Sequence, residues 1–308
     1  MASKQILSTA VKVTFLGFLI YFGLQFFIPR WQSLQLPGRL AALSAPWILA
    51  VGAFTVAYYV LGLFIWTIIL RTLGSRPDLH LTAGAYVYSL LAKYIPGSVA
   101  AHGVRTQLAM AAGVPVLVLM KSFLLEAVIA LGTAAAIAIP GTMYFAPAVI
   151  NRRSTWIVAV AAVILFAAVV VRRFKLTSIY GSPLAPLPST RGYVDVGFLY
   201  LLVWLVSAAA HWCLAKALGD YSISHLPLLL VAVPASWAIG FVSVFAPAGL
   251  GVREAVLYFF VTDWMEQGDV ILFVTLSRLL MFGVEVFLTA GFLLYSKVAQ
   301  RAETVMTQ

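Results

Sequence analysis

Two short stretches hold an unusual set of polar and helix-breaking residues within an otherwise apolar chain. KYIPGSVAAHGVR runs from Lys93 to Arg105, and FAPAGLGVRE runs from Phe245 to Glu254. In each stretch a proline and small residues precede Gly-Val-Arg. Proline suits the first turn of a helix, so we expect one helix to end near Tyr94 and new helices to begin at Pro96 and Pro247. Each helix start exposes amide N–H groups that favour anions. Because a guanidinium matches phosphate through paired hydrogen bonds, each stretch predicts a phosphate-binding element.

Charged residues within the apolar segments that follow extend this predicted site. Arg278 and Glu285 share one helix face two turns apart, and His102 shares a face with Arg105. Glu126 and Glu285 could each pair with Arg253 or Arg105. These acids either form ion pairs that fix helix packing, or release the arginines when a phosphate arrives and take up a proton. Lys93 lies near a predicted helix end. A lysine that snorkels toward the membrane surface describes it slightly better than a substrate-binding role does. The candidate substrate-binding residues are Lys93, Pro96, Gly97, His102, Arg105, Lys121, Glu126, Pro247, Gly249, Gly251, Arg253, Glu254, Arg278 and Glu285.

Other kinds of chemistry lack their sequence signatures. The chain has no His-x-x-x-His motif, no cysteine pair and no dense carboxylate cluster, so no metal is expected. It has no Walker A lysine motif and no Gly-x-Ser-x-Gly elbow, so we expect no ATP hydrolysis and assign no catalytic residue. No cofactor is expected, and no basic, aromatic-interleaved surface segment suggests nucleic acid.

Composition places the chain among polytopic membrane proteins. Of its 308 residues, 63% are hydrophobic and 10% are charged, whereas soluble domains are about 45–50% apolar and about 25% charged. No segment outside the membrane is long enough for a soluble domain of about 50 residues. We therefore expect one all-α transmembrane domain over residues 1–308.

Six segments are apolar enough to be full spans: residues 11–29, 46–70, 116–140, 155–171, 196–218 and 270–295. The two stretches described above interrupt residues 83–113 and 226–262. If each interrupted region is a re-entrant hairpin, the three spans between them place the hairpins on opposite faces of the membrane. This layout predicts an inverted repeat of about 83–140 and about 226–295, as in many transporters. The alternative is two tilted helices in each region, which gives eight to ten spans.

The distribution of basic residues orients this layout. With both termini in the cytoplasm, lysines and arginines concentrate in the predicted cytoplasmic segments, as the positive-inside rule expects. The net charge of +10 also favours anionic lipid headgroups. The first hairpin then opens to the cytoplasm and the second to the outside. We expect a multi-pass protein of a bacterial or archaeal cytoplasmic membrane.

KYIPGSVAAHGVR and FAPAGLGVREAVL resemble the paired motifs of the lysylphosphatidylglycerol synthase transmembrane-region family, and the resemblance covers nearly the whole chain. Ala248-Gly249 stands where that family more often has Gly-Gly. The resemblance implies a flippase-like fold with re-entrant hairpins that moves lipids between leaflets. The family's soluble aminoacyl-transferase domain is missing here, so synthesis of lysyl-lipid is not expected. The residues that match the motifs are Pro96, Gly97 and Arg105, and Pro247, Gly249, Gly251, Arg253 and Glu254.

Three functions follow from these observations. The first is translocation of a phosphate-containing lipid. The partner in the membrane is then a phospholipid or a polyprenyl-phosphate-linked lipid. The second is a membrane-embedded lipid-modifying enzyme, for which His102 and Glu254 are the available acid–base groups. The third is a non-transporting partner of a lipid-synthesising enzyme. A homodimer is also possible, although no small-residue motif predicts one.

Overall fold

A computed structural model describes residues 35–94, 100–145, 190–243 and 247–306. All regular secondary structure in these ranges is helical, which confirms the predicted all-α class. The predicted spans 11–29 and 155–171 lie outside the described residues, as do Pro96 and Gly97.

The described helices are α1 (Leu36–Ala41), α2 (Ala45–Thr72), α3 (Leu79–Ala92), α4 (Ala100–Ala111), α5 (Val116–Phe145), α6 (Thr190–Leu218), α7 (Leu226–Val242), α8 (Val252–Val261) and α9 (Gln267–Met306). Single 3₁₀ turns cover Ile223–His225 and Pro247–Gly249.

Five of the described segments are long and apolar enough to cross a membrane, as expected of a multi-pass membrane protein. Four of them correspond to the predicted spans 46–70, 116–140, 196–218 and 270–295. The fifth, Ile223–Val242, occupies the start of the second interrupted region.

Helices α2 and α6 form an antiparallel pair at the centre of the fold. At one end, the Ser44 N–H just before α2 donates to the Ala217 carbonyl near the end of α6, at 3.1 Å. At the other end, a Cβ on Gly192 would lie 3.0 Å from Thr72 Cγ2. The start of each helix therefore lies beside the end of the other. We call the end that contains Ser44 and Ala217 face A, and the opposite end face B.

Two pairs of shorter helices flank this centre in a reciprocal manner. Helix α3 packs against α4 and α9, whereas α7 packs against α8 and α5. Glycines allow close approach at both crossings with the long helices. A Cβ on Gly84 would lie 3.1 Å from the Phe292 ring, and one on Gly141 would overlap Val231. Helix α3 thus packs on α9, which follows the second pair, and α7 packs on α5, which follows the first pair.

The outer ends of the two pairs lie at opposite faces. His80 at the start of α3 stacks on Phe292, and Val114 after α4 joins a buried cluster that contains Leu70 near the face B end of α2. Val261 at the end of α8 instead joins a cluster with Leu214, near the face A end of α6.

The chain breaks between the two helices of the second pair through left-handed backbone. Ala248, Gly249 and Gly251 have φ angles of 52°, 71° and 82°. The prediction that a new helix begins at Pro247 is wrong, because Pro247 opens only a single 3₁₀ turn and α8 begins at Val252. Glycine favours such geometry because it has no Cβ. In the first region α3 ends at Ala92, before the predicted break near Tyr94.

Candidate functional site

Two cavities follow one another along the α2–α6 pair. Each is lined by one arginine of the two Gly-Val-Arg motifs. The Arg253 cavity includes Val51 and Leu214 and so lies toward face A. The Arg105 cavity includes Gly62 and Tyr200, which lie closer to face B. From the sequence, one central polar cavity shared by the two arginines is expected. In the structure they line two neighbouring cavities instead.

Three aromatic side chains line both cavities: Tyr58, Trp204 and Trp237. Trp204 and Trp237 contact each other with ring centroids 5.3 Å apart. We call this group the aromatic partition. Its residues were not among the predicted site residues, because single aromatic side chains in apolar helices carry no sequence signal that separates a partition from ordinary packing.

Arg105 is neutralised inside its cavity. Its Nη1 donates to Glu126 Oε2 at 3.0 Å, and its Nε donates to Ser89 Oγ at 3.2 Å. The guanidinium carbon also lies 4.7 Å from the centroid of the Tyr86 ring and 5.0 Å from that of Trp66. Glu126 thus binds Arg105, one of its two predicted arginine partners. The Glu126 carboxylate takes the place on the guanidinium that a phosphate would use.

Arg253 has a different environment. Its side chain passes between Gly240 and Gly249, since a Cβ on Gly240 would lie 2.8 Å from Arg253 Nε and one on Gly249 would lie 2.9 Å from it. The guanidinium carbon lies 5.8 Å from the centroid of the Trp237 ring. Arg253 Nε is buried and has no hydrogen-bond partner among the described residues. Within those residues no carboxylate forms an ion pair with Arg253, so its charge has no compensating partner in the described part of the chain.

Arg278 and Glu254 hold the second break in shape. Arg278 Nε pairs with Glu254, and its Nη2 donates to the Ala248 carbonyl at 2.9 Å. The other Glu254 oxygen accepts the Gly251 N–H at 2.6 Å, at the start of α8. This network fixes the turn from which Arg253 projects. Arg278 also lines the Arg253 cavity.

Lys93 and Glu285 form a third ion pair among the predicted site residues. Glu285 lies on α9, seven residues after Arg278. Glu285 is fully buried and accepts hydrogen bonds from Lys93 Nζ and Tyr59 Oη. The interpretation of Lys93 as a snorkelling lysine is wrong, because its ammonium turns inward to this carboxylate. Neither Lys93 nor Glu285 is among the residues that line the two cavities. Their pair joins the end of α3 to α9.

The remaining predicted site residues divide between the cavities and the exterior. His102 lines the Arg105 cavity, with its ring centroid 4.8 Å from that of Phe123. Lys121 is partly exposed and lies outside both cavity linings. His211, which is not among the predicted site residues, also lines the Arg253 cavity, where its Nδ1 lies 2.8 Å from the Ser207 carbonyl oxygen.

Comparison of the chain with protein-family models and with curated proteins finds no match. The chemistry of the site is therefore argued from its own side chains. The two cavities together offer one uncompensated guanidinium, one guanidinium held by a carboxylate, and an aromatic partition between them. Such an arrangement can bind an anionic group on either side of the partition.

Proposed function

We propose that this protein moves a phosphate-containing lipid between the two leaflets of its membrane. The observation that carries the proposal is the pair of cavities along α2 and α6, each with one Gly-Val-Arg arginine and separated by Tyr58, Trp204 and Trp237. A headgroup has a binding site on each side of the partition. The lipid tails stay in the surrounding bilayer.

The Arg253 cavity is the site that accepts the headgroup in the conformation described here. An uncompensated charge away from water is costly, and a phosphate oxygen relieves that cost through charge-assisted hydrogen bonds. Arg253 also lies in the first turn of α8, whose amide N–H groups and positive dipole end favour an anion.

The Arg105 cavity accepts the headgroup only after Glu126 gives up its pairing. The carboxylate and a phosphate compete for the same guanidinium, since both match its paired donors. Passage from one cavity to the other requires the aromatic partition to open. A protein with alternating access would open it while the headgroup moves between Arg253 and Arg105.

We further propose that α3–α4 and α7–α8 are re-entrant hairpins that enter from opposite faces, as two halves of an inverted repeat. The antiparallel packing of α2 and α6 and the reciprocal contacts of the two pairs support this arrangement. The length of α3, 14 residues, corresponds to about 21 Å, which is shorter than a hydrocarbon core of about 30 Å. This argument holds for α3 and not for α7, because the segment Ile223–Val242 is long enough to cross the membrane. The positive-inside expectation then assigns face B to the cytoplasm.

The resemblance to the lysylphosphatidylglycerol synthase transmembrane-region family agrees with this proposal. It favours a phospholipid or a polyprenyl-phosphate-linked lipid as the substrate, in a bacterial or archaeal cytoplasmic membrane. The enzyme alternative has less support, because its candidate acid Glu254 is already engaged by Gly251 and Arg278.

The test is leaflet exchange of fluorescent phosphatidylglycerol in liposomes that contain the purified protein. We expect exchange above that of protein-free liposomes, and loss of this exchange in the Arg105→Ala/Arg253→Ala double variant. Protein that leaves the exchange rate at the protein-free level would contradict the proposal. Chemical conversion of the lipid would favour the enzyme alternative instead.

Substitution of Gly240 tests the placement of Arg253 without removing its charge. In Gly240→Ala the added Cβ overlaps the Arg253 side chain, so the guanidinium must leave its position beside Trp237. We expect roughly tenfold slower exchange, because a change of about 1.4 kcal/mol in headgroup binding corresponds to a factor of ten. The matched control is Gly132→Ala, where no atom lies within 4 Å of the added Cβ. Equal rates for the two variants would contradict the placement.

A further inference from the structure

The two cavities carry different charges, although each contains one motif arginine. In the Arg253 cavity, Arg278 is neutralised by Glu254, and the uncompensated Arg253 leaves one positive charge. In the Arg105 cavity, the Arg105–Glu126 pair leaves no net charge from these two residues. A headgroup with one negative charge therefore neutralises the first cavity but leaves an excess negative charge in the second.

The excess charge must be compensated within the Arg105 cavity. The phosphate displaces Glu126 from the guanidinium, and the released carboxylate then faces a cavity walled largely by apolar and aromatic side chains. An isolated carboxylate in such surroundings is neutralised by binding a proton, because the charged form loses its solvation.

We propose that Glu126 binds a proton whenever a lipid phosphate occupies the Arg105 cavity, and releases it when the phosphate leaves. This inference rests on the proposed function, since it concerns the same headgroup. The balance is simple: the Arg105–Glu126 ion pair breaks, an Arg105–phosphate pair forms, and one proton moves from solvent to the Glu126 carboxylate. Headgroup binding at this cavity is consequently linked to pH through Glu126.

Among the described residues, few other groups near Glu126 can bind or release this proton. Helix α4 contributes Arg105 and His102, and helices α2, α3 and α6 each contribute one tyrosine hydroxyl. Helix α7 contributes only the rings of Trp237 and Phe241 to the cavity. His102 is the group that could replace Glu126 as the proton acceptor, so it is included in the test. The tyrosines at the cavity are Tyr58, Tyr86 and Tyr200.

The experiment measures binding of dihexanoylphosphatidylglycerol to detergent-solubilised Arg253→Ala, in which only the Arg105 cavity retains its Gly-Val-Arg arginine and Arg278 in the other cavity stays paired with Glu254. The phosphodiester keeps one negative charge throughout the pH series, so a change in affinity reports on the protein. We expect affinity to rise up to roughly tenfold for each unit that the pH falls, while Glu126 is ionised in the unoccupied protein. Proton uptake, measured with a pH indicator in weak buffer, should approach about one per bound lipid.

Variants in the same background separate the outcomes. Glu126→Gln should bind with an affinity independent of pH and tighter than its parent at high pH, because no carboxylate competes. Glu126→Asp and His102→Gln should retain the pH dependence. Binding that is independent of pH in the parent, or a pH dependence that His102→Gln removes and Glu126→Gln retains, would overturn the inference while leaving lipid binding intact. If neither the Arg253→Ala protein nor the unsubstituted protein binds the lipid, the proposed function fails as well.

Discussion

Replacing Arg253 with alanine is expected to slow lipid exchange by about 10- to 100-fold, since hydrogen bonds to charged groups contribute about 1.5–3 kcal/mol. Arg253 is a motif arginine without an acidic partner among the described residues, and Gly240 and Gly249 hold its side chain in place. Among the described residues that line this cavity, the other arginine, Arg278, is already paired with Glu254. The measurement is leaflet exchange of fluorescent phosphatidylglycerol in liposomes, at matched protein content.

Two further variants define what Arg253 supplies. Arg253→Lys keeps the charge but loses the planar fork that binds two phosphate oxygens, so we expect an intermediate rate. Arg71→Ala removes one positive charge from an exposed position at the end of α2 and should leave the rate unchanged. Exchange at the normal rate in Arg253→Ala would show that the headgroup does not use this guanidinium.

Loss of the Lys93 ammonium is expected to destabilise the fold strongly. Glu285 is fully buried, and its Oε2 has no hydrogen-bond partner among the described residues, so Lys93 supplies its only described cation. Removing one partner of a buried ion pair costs about 3–5 kcal/mol, because the other charge remains buried without compensation. Lys93→Met should therefore lower the unfolding temperature in detergent markedly.

The matched control replaces both partners. Lys93→Met/Glu285→Met removes both charges, so it should recover much of the stability lost in Lys93→Met, since apolar replacement of a buried pair is often neutral. A double variant that is less stable than either single variant would contradict the assignment of Lys93 and Glu285 as a structural pair. Recovery of stability without recovery of exchange would indicate that the contact between α3 and α9 also matters for transport.

Local sequence patterns predicted the parts of the site that depend on residue type at short spacing. The Pro, Gly and Arg residues of FAPAGLGVRE predicted a helix break followed by an arginine. The structure places a left-handed turn there and Arg253 just after it. The predicted start of α8 was wrong, because three of the residues between Pro247 and Val252 have positive φ angles and cannot be part of a right-handed helix.

Pairings over long separations could not be read from the sequence. Glu285 lies two helical turns from Arg278, yet it pairs with Lys93, and Arg278 pairs with Glu254. Apolar helices offer many equivalent packing arrangements, and a lysine near a helix end fits either a snorkelling or a paired state. The charge difference between the Arg105 and Arg253 cavities also depends on these pairings, so it emerged only from the structure.

Labelling of single cysteines tests the central claim, that two cavities are served by hairpins from opposite faces of the membrane. Cys213 is buried and is first replaced by serine. Cysteines then replace the exposed residues Arg76 and Pro115 beside α3–α4, and Ser224 and Asp263 beside α7–α8. A membrane-impermeant maleimide applied to intact cells and to inverted vesicles should label the first two from the cytoplasmic side and the other two from outside. Labelling of all four from one side, or of Arg76 and Pro115 from different sides, would contradict the account.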